Sequence, residues 1–193
     1  MTISDERRSH WDDPKMRAPY DYHDMSDSLP YPFEPVEGMF KDKRVLEIGP
    51  GRGRQYQRLR IRVKSYAICD ITLKALLEPV FDGVVNKYLL RSYADDFELR
   101  FGIVHFWYVL HHVKPDEVPS FFAFVVRHLV PGGYALFNSP QTGNAREWYT
   151  DDGIGTSYLT AEYLHSCCTS DFSEVESRTQ DERSSGYLFI ARK

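Results

Sequence analysis

Beyond position 43 the apolar residues cluster into short unbroken runs, set apart by breaks rich in glycine, proline and charge. RVLEI at 44–48 is a β-rich run that ends in a glycine cluster, and SYAICD at 65–70 reads as a second strand. Between them, residues 54–61 can form a helix; a short helix near 73–77 and a strand near 84–89 follow. FGIVHFWY at 101–108 is almost wholly apolar, as expected of a strand covered on both faces. Asp116 is placed to cap a helix across 117–129, on which Val118, Phe121, Phe122, Val125 and Leu129 form one stripe. Pro131-Gly132-Gly133 predicts its end, and YALF at 134–137 a further buried strand. Residues 161–168 read as a helix, and residues near 173–178 and 187–191 as two closing strands. Strands that alternate with helices predict an α/β fold in three layers, a parallel sheet with helices on both faces.

The first 40 residues break this pattern. Prolines at 14, 19, 30, 32 and 35 leave no room for a long helix or a central strand, because proline lacks a backbone donor and restricts its predecessor. Trp11, Tyr20, Tyr22, Tyr31 and Phe33 are nevertheless too apolar for a free linker. The segment 1–40 therefore reads as an irregular arm or lid packed on a main domain of residues 41–193, the alternative being a partly disordered tail. A chain of 193 residues suits one compact domain with at most a small cap. Without a run of about 20 apolar residues it has no transmembrane helix, and its charged opening predicts no secretory signal. Three cysteines, two of them adjacent at 167 and 168, suit neither a disulfide framework nor a zinc cage. A reducing, cytoplasmic setting without a metal is expected. The net charge of −4 gives no reason to expect a polyanionic partner. Aromatic residues, at 15%, exceed what a small core needs, so some are expected to line a binding surface.

VLEIGPGRG at 45–53 carries the sharpest chemical signal. A strand runs into Gly49, Gly51 and Gly53, and a helix opens straight after. Glycine lets a ligand approach the backbone and the helix start offers unpaired N–H groups, so a nucleotide-like guest is expected. The dinucleotide fingerprint G-x-G-x-x-G would need a third glycine at position 54, which is Arg54. Glu47 would repel a pyrophosphate but suits a cofactor with a cationic centre and an ammonium group. Asp70, ending the second strand, is placed to accept both hydroxyls of a ribose, and Ile71 to lie against one face of a purine.

In this order and at these separations, VLEIGPGRGR, YAICDI, VLHHV and LVPGGYALF resemble the class I S-adenosylmethionine-dependent methyltransferases. The resemblance is strongest to the small-molecule branch, which includes ubiquinone/menaquinone-biosynthesis and sugar methyltransferases, and it covers about residues 45–193. It implies a Rossmann-like sandwich with a mostly parallel seven-stranded sheet whose last strand is antiparallel, and S-adenosylmethionine as cofactor. By the same resemblance Glu47 would hold the methionine ammonium, Gly49, Gly51 and Gly53 would carry the methionine portion, and Asp70 would take the ribose. Ala94 and Asp95 would meet the adenine amino group, and Phe106 and Trp107 would lie beside the sulfonium. Two departures stand out: Gly102 occupies a place where the family often has an acid, and the region between the second and fourth strands is short.

Methyl transfer from a sulfonium is an in-line displacement, for which the nucleophile must sit about 3 Å from the methyl carbon with water excluded. A general base is needed only when the nucleophile is protonated and weakly acidic. His111 and His112, just past the fourth strand, are the candidates; the pair reads equally as a strand-to-helix connection with one ring packed inside. Residues 138–152 lie at the carboxyl ends of the strands, where open α/β sheets bind ligands. There Trp148, Tyr149, Asp151 and Asp152 either contact an acceptor or form a solvated loop. The expected activity is O- or N-methylation of a small molecule. A non-catalytic nucleotide-binding module is one alternative. A nucleic-acid methyltransferase is another, since Arg52, Arg54, Arg58, Arg60, Arg62 and Lys64 form a basic run, although a solvated helix face accounts for it equally. A nicotinamide-dependent oxidoreductase is opposed by the glycine spacing and by Glu47.

Overall fold

The computed structural model describes residues 2–13, 34–140, 147–150, 155–168, 170–179 and 186–193. Its strands are β1 (Arg44–Ile48), β2 (Ser65–Asp70), β3 (Asn86–Leu89), β4 (Phe101–Phe106), β5 (Leu129–Pro140), β6 (Glu147–Thr150), β7 (Gly155–Tyr158), β8 (Glu174–Thr179) and β9 (Gly186–Arg192). The α-helices are α1 (Asp5–Asp12), α2 (Arg54–Leu59), α3 (Leu73–Leu76), α4 (Val118–His128) and α5 (Ala161–Cys168). Seven strands form one sheet in the order β3-β2-β1-β4-β5-β9-β8, and β6 pairs with β7 as a separate hairpin. The first five strands run parallel, whereas β9 is antiparallel to both β5 and β8. This is the expected seven-stranded α/β sandwich with an antiparallel last strand.

Alternation along each strand divides the core in two. One face carries Leu46, Ile48, Cys69, Val104, Phe106, Phe137 and Phe189 beneath α4 and α5. The other carries Val45, Tyr66, Ile68, Ile103, Leu136 and Ile190 against Phe40, Tyr56, Leu59 and Phe81. Register sets Phe106 opposite Phe137 and Phe137 opposite Phe189. Their rings stack in a row at 4.9 Å per step, nearly parallel at 8° and 1°. Phe121 and Phe122 of α4 press onto this row.

Four local expectations are corrected. The fourth strand ends at Phe106, two residues early, because Tyr108 adopts a left-handed φ of 55° that a strand cannot hold. Glu117, not Asp116, precedes α4 as its N-cap, without a side-chain capping bond, and Pro119 sits in the first turn. Pro131-Gly132-Gly133 does not separate helix from strand: β5 starts at Leu129, straight after α4. Phe101 faces Leu129 while Ile103 faces Tyr134, so a bulge absorbs residues 130–133, with Gly132 at φ 72°. The arm is not wholly irregular either. α1 fits ahead of Pro14, with Ser4 Oγ accepting the Arg7 N–H at 3.3 Å. Ile3, 2% exposed, packs into the core, and a bridge from Thr2 to Ser92 ties the start of the chain to the segment after β3.

Candidate functional site

Chain order reverses between β1 and β4, and a crevice opens beyond the carboxyl ends of the strands at such a switch point. The turn leaving β1 is left-handed at Gly49, Gly51 and Gly53, with φ of 66°, 52° and 82°. At Gly49 a Cβ would come within 2.7 Å of Val109 Cγ2, and at Gly53 within 2.9 Å of Phe81 and Val80. Both positions therefore exclude other side chains on space as well as on φ. The Gly49 N–H donates to Cys69 O at 2.8 Å, which pins the turn to the end of β2.

The turn borders a cavity of about 570 Å³. Glu47 and Asp70 reach it from the ends of β1 and β2, Trp107 and Tyr108 from the end of β4, and Arg7 and Trp11 from α1. Glu47 is 2% exposed, and Tyr66 Oη donates to its Oε2 at 2.8 Å. Asp70 Oδ1 accepts from the N–H and the hydroxyl of Thr72, at 2.8 and 3.1 Å, which fixes the carboxylate at the cavity edge. Gln55, 4% exposed in the first turn of α2, also lines the cavity. Its buried Oε1 has no hydrogen-bond partner among the described residues, and a ligand donor would satisfy it. Two carboxylates, an amide acceptor and an exposed backbone turn fit a guest that carries an ammonium, a ribose and a positive sulfur. The volume lies in the range of small-ligand sites.

The remaining wall is a line of rings. Trp11 meets His112 at 4.6 Å, His112 meets His111 at 3.8 Å, His111 meets Tyr108 at 5.9 Å and Tyr108 meets Trp107 at 5.3 Å. Burial pushes the His111 imidazole down to about 4. It pushes His112 well below the ordinary range too, with the neighbouring His111, His10 and Arg7 adding to the effect. Burial raises the Tyr108 phenol, against the pull of Arg54. All three rings are therefore uncharged at neutral pH. The Tyr108 backbone N–H donates to Asn138 Oδ1 at 2.7 Å, and Asn138 is 2% exposed, so a buried amide holds the strained turn that aims this wall.

Of the residues expected at a site, the structure gathers Glu47, Gly49, Gly51, Asp70, Ile71, Trp107, His111 and His112 around this cavity. Four it does not bring there. Gly53 stands behind the turn as the N-cap of α2. Phe106 is fully buried in the phenylalanine row, with Phe121 packed on it at 4.9 Å. Ala94 is exposed, and the Asp95 carboxylate turns back to accept the Arg91 and Ser92 N–H groups at 2.8 and 3.0 Å. Trp148 and Tyr149 lie on β6, whose partner β7 runs against the Leu110–His112 turn. Asp151 and Asp152 lie outside the described residues. Sequence reasoning missed Arg7, Trp11, Gln55 and Tyr108. Ser4 followed by Asp5 and Glu6 was the available signal for a capped helix carrying the first two.

Among the described residues no cluster of His, Cys, Asp and Glu could hold a metal ion, and no helix is long and apolar enough to cross a membrane. Arg58 and Arg62 of the basic run both pair with Glu37, at 3.2 and 3.1 Å.

A family profile described as a methyltransferase domain matches residues 20–176. No curated protein matches the sequence. Among solved structures, the chain is similar to Burkholderia thailandensis 1,6-didemethyltoxoflavin-N1-methyltransferase, bound to 1,6-didemethyltoxoflavin and S-adenosylhomocysteine. The identity is 20%, over 92% of this chain and 87% of that one, with a TM-score of 0.70. It is also similar to Streptomyces venezuelae DesVI, at 14% identity over 89% and 95% of the two chains and a TM-score of 0.71. N-methyltransferase NodS from Bradyrhizobium japonicum is 16% identical over 94% and 98%, with a TM-score of 0.63. At such identities these likenesses are likenesses of fold.

Proposed function

The chain belongs to the methyltransferase domain family, and from that premise we propose that it moves the methyl group of S-adenosylmethionine to a nitrogen of a small, flat acceptor. The observation that carries this reading is the left-handed glycine turn between the buried Glu47 and the half-buried Asp70, opening on a cavity with an aromatic far wall. S-adenosylmethionine supplies an electrophilic methyl on a positive sulfur. Glu47 takes the ammonium group, Gly49 and Gly51 give the methionine portion a surface without side chains, Asp70 takes the ribose hydroxyls and Ile71 packs on the purine. Trp107 presents a ring to the positive sulfur. Helix α1 covers one side of the site, through Arg7 and Trp11, and keeps water from the reacting atoms.

The preference for nitrogen follows from the acid–base properties of the wall. An efficient general base has a pKa near the working pH, whereas His111 lies near 4 and His112 below its usual range. A nucleophile that needs no proton removed at neutral pH, such as an unprotonated amine or ring nitrogen, suits this wall. Two of the similar structures are named as N-methyltransferases, which supports the same choice. The uncharged rings offer a stacking surface to a planar acceptor. The nucleic-acid alternative is weakened by the pairing of Arg58 and Arg62 with Glu37.

Calorimetry tests the cofactor. S-adenosylhomocysteine is expected to bind, and Asp70→Ala to weaken it by roughly 1–3 kcal/mol, the scale of hydrogen bonds to a charged group. Binding of NAD in its place, or an unchanged affinity in the variant, would overturn the assignment. His111→Asn is expected to lower kcat by less than about tenfold, against the ~10²–10⁴ lost when a true general base is removed. The pH–rate profile should then follow the ionisation of the acceptor; a loss above a hundredfold would restore His111 as a base.

A further inference from the structure

We propose that Tyr66 and His105 are positioning residues, a buried relay that fixes the Glu47 carboxylate for the ammonium group of the cofactor. The relay rests on the reading of Glu47 given above. Its geometry follows from strand register. His105 on β4 is the direct cross-strand partner of Glu47 on β1, so both side chains leave the sheet on one face. Tyr66 on β2 faces Val45, two positions before Glu47, and shares that face by the same alternation. Glu47 is 2% exposed, His105 fully buried and Tyr66 9% exposed.

Proton counting sets the direction of the relay. The Tyr66 hydroxyl has one proton and donates it to Glu47 Oε2 at 2.8 Å. Its oxygen lies 2.9 Å from His105 Nε2, so it must accept from an Nε2–H there. That fixes His105 as the neutral tautomer protonated at Nε2. Burial keeps the ring neutral, holding its pKa down at about 3. Phe40 stands edge-on to His105 at 5.5 Å and Tyr56 edge-on to Tyr66 at 5.1 Å, so neither ring can swing away without disturbing the core. Each donor polarises the next, and the chain ends on a carboxylate that lines the cavity. A carboxylate buried without donors is costly and free to rotate. Here it meets an arriving cation already oriented.

Calorimetry of the full chain with S-adenosylhomocysteine, together with steady-state kinetics, tests the relay through Tyr66→Phe, Glu47→Gln and their combination. Tyr66→Phe removes a single oxygen and should weaken binding about tenfold, raising the KM for S-adenosylmethionine while kcat stays nearly constant. In the Glu47→Gln background the same substitution should change affinity little further, a coupling that a merely structural tyrosine would not show. His105→Gln, which still offers an N–H donor, should keep affinity that His105→Leu loses. Independent, additive losses, or no loss in Tyr66→Phe while Glu47→Gln weakens binding, would overturn the relay alone. An unchanged affinity in Glu47→Gln would overturn the reading of Glu47 and the relay with it.

Discussion

Phe137→Ala is expected to destabilise the protein by about 3–5 kcal/mol, the range for deleting a fully buried phenylalanine ring. Phe137 is the middle of the row across β4, β5 and β9, flanked by Phe106 and Phe189 at 4.9 Å on either side and covered by Phe122 at 5.2 Å. Both flanking rings are anchored in central strands of the sheet, so the gap cannot close by a side chain swinging in from a loop. For a chain of this size the loss corresponds to a fall in Tm of roughly 6–20 °C. Calorimetric unfolding measures it directly; a change below about 1 kcal/mol would mean that the row relaxes freely. Binding should weaken as well, because Asn138, the next residue on β5, holds the Tyr108 turn at the cavity. Phe137→Leu refills most of the volume and should cost a minor part of that loss.

The row also shows what a sequence can and cannot reveal. FGIVHF and YALF announce buried strands by being apolar throughout, and β1, β2 and α5 are found at the bounds their residues predict. Runs apolar on both faces, however, do not say which side chain faces which layer. The family resemblance implies Phe106 beside the sulfonium, and the structure buries it in the core beneath Phe121 while Trp107, one residue on, reaches the cavity. Glu47, Gly49 and Asp70 were legible because a local turn and two adjacent parallel strands fix them together. Ala94 and Asp95 were not, since the β3–β4 connection obeys no periodicity and Asp95 satisfies the amides of its own loop. Trp11 and Arg7 depend on a contact with residues more than a hundred positions away, as the bond from Arg7 to Glu117 illustrates, and no local pattern encodes it.

That bond sets the second large expectation: Glu117→Ala should release α1 from the domain. Arg7 Nη1 lies 2.8 Å from Glu117 Oε2, with side chains only 9% and 10% exposed. Removing one member of a buried pair leaves the other charge uncompensated, at a cost of about 3–5 kcal/mol. Arginine cannot escape by losing its proton. The cheaper response is for α1 to leave the surface and return the guanidinium to water, since its other ties are Ile3, the Thr2–Ser92 bridge, the Trp11–His112 ring contact and two exposed bonds, Arg8 Nη2 to Arg91 O at 2.9 Å and Lys74 Nζ to Asp12 O at 3.1 Å. Hydrogen exchange should therefore show lost protection across Asp5–Asp12 while β1, β4 and β5 stay protected. S-adenosylhomocysteine should dissociate faster, because Arg7 and Trp11 form one side of the cavity. An Arg7→Met, Glu117→Leu double variant, which removes both charges and keeps the bulk, should restore the protection. Intact protection in Glu117→Ala would show that α1 is held by packing and not by the ion pair, and would remove the basis for treating this helix as a charge-latched cover.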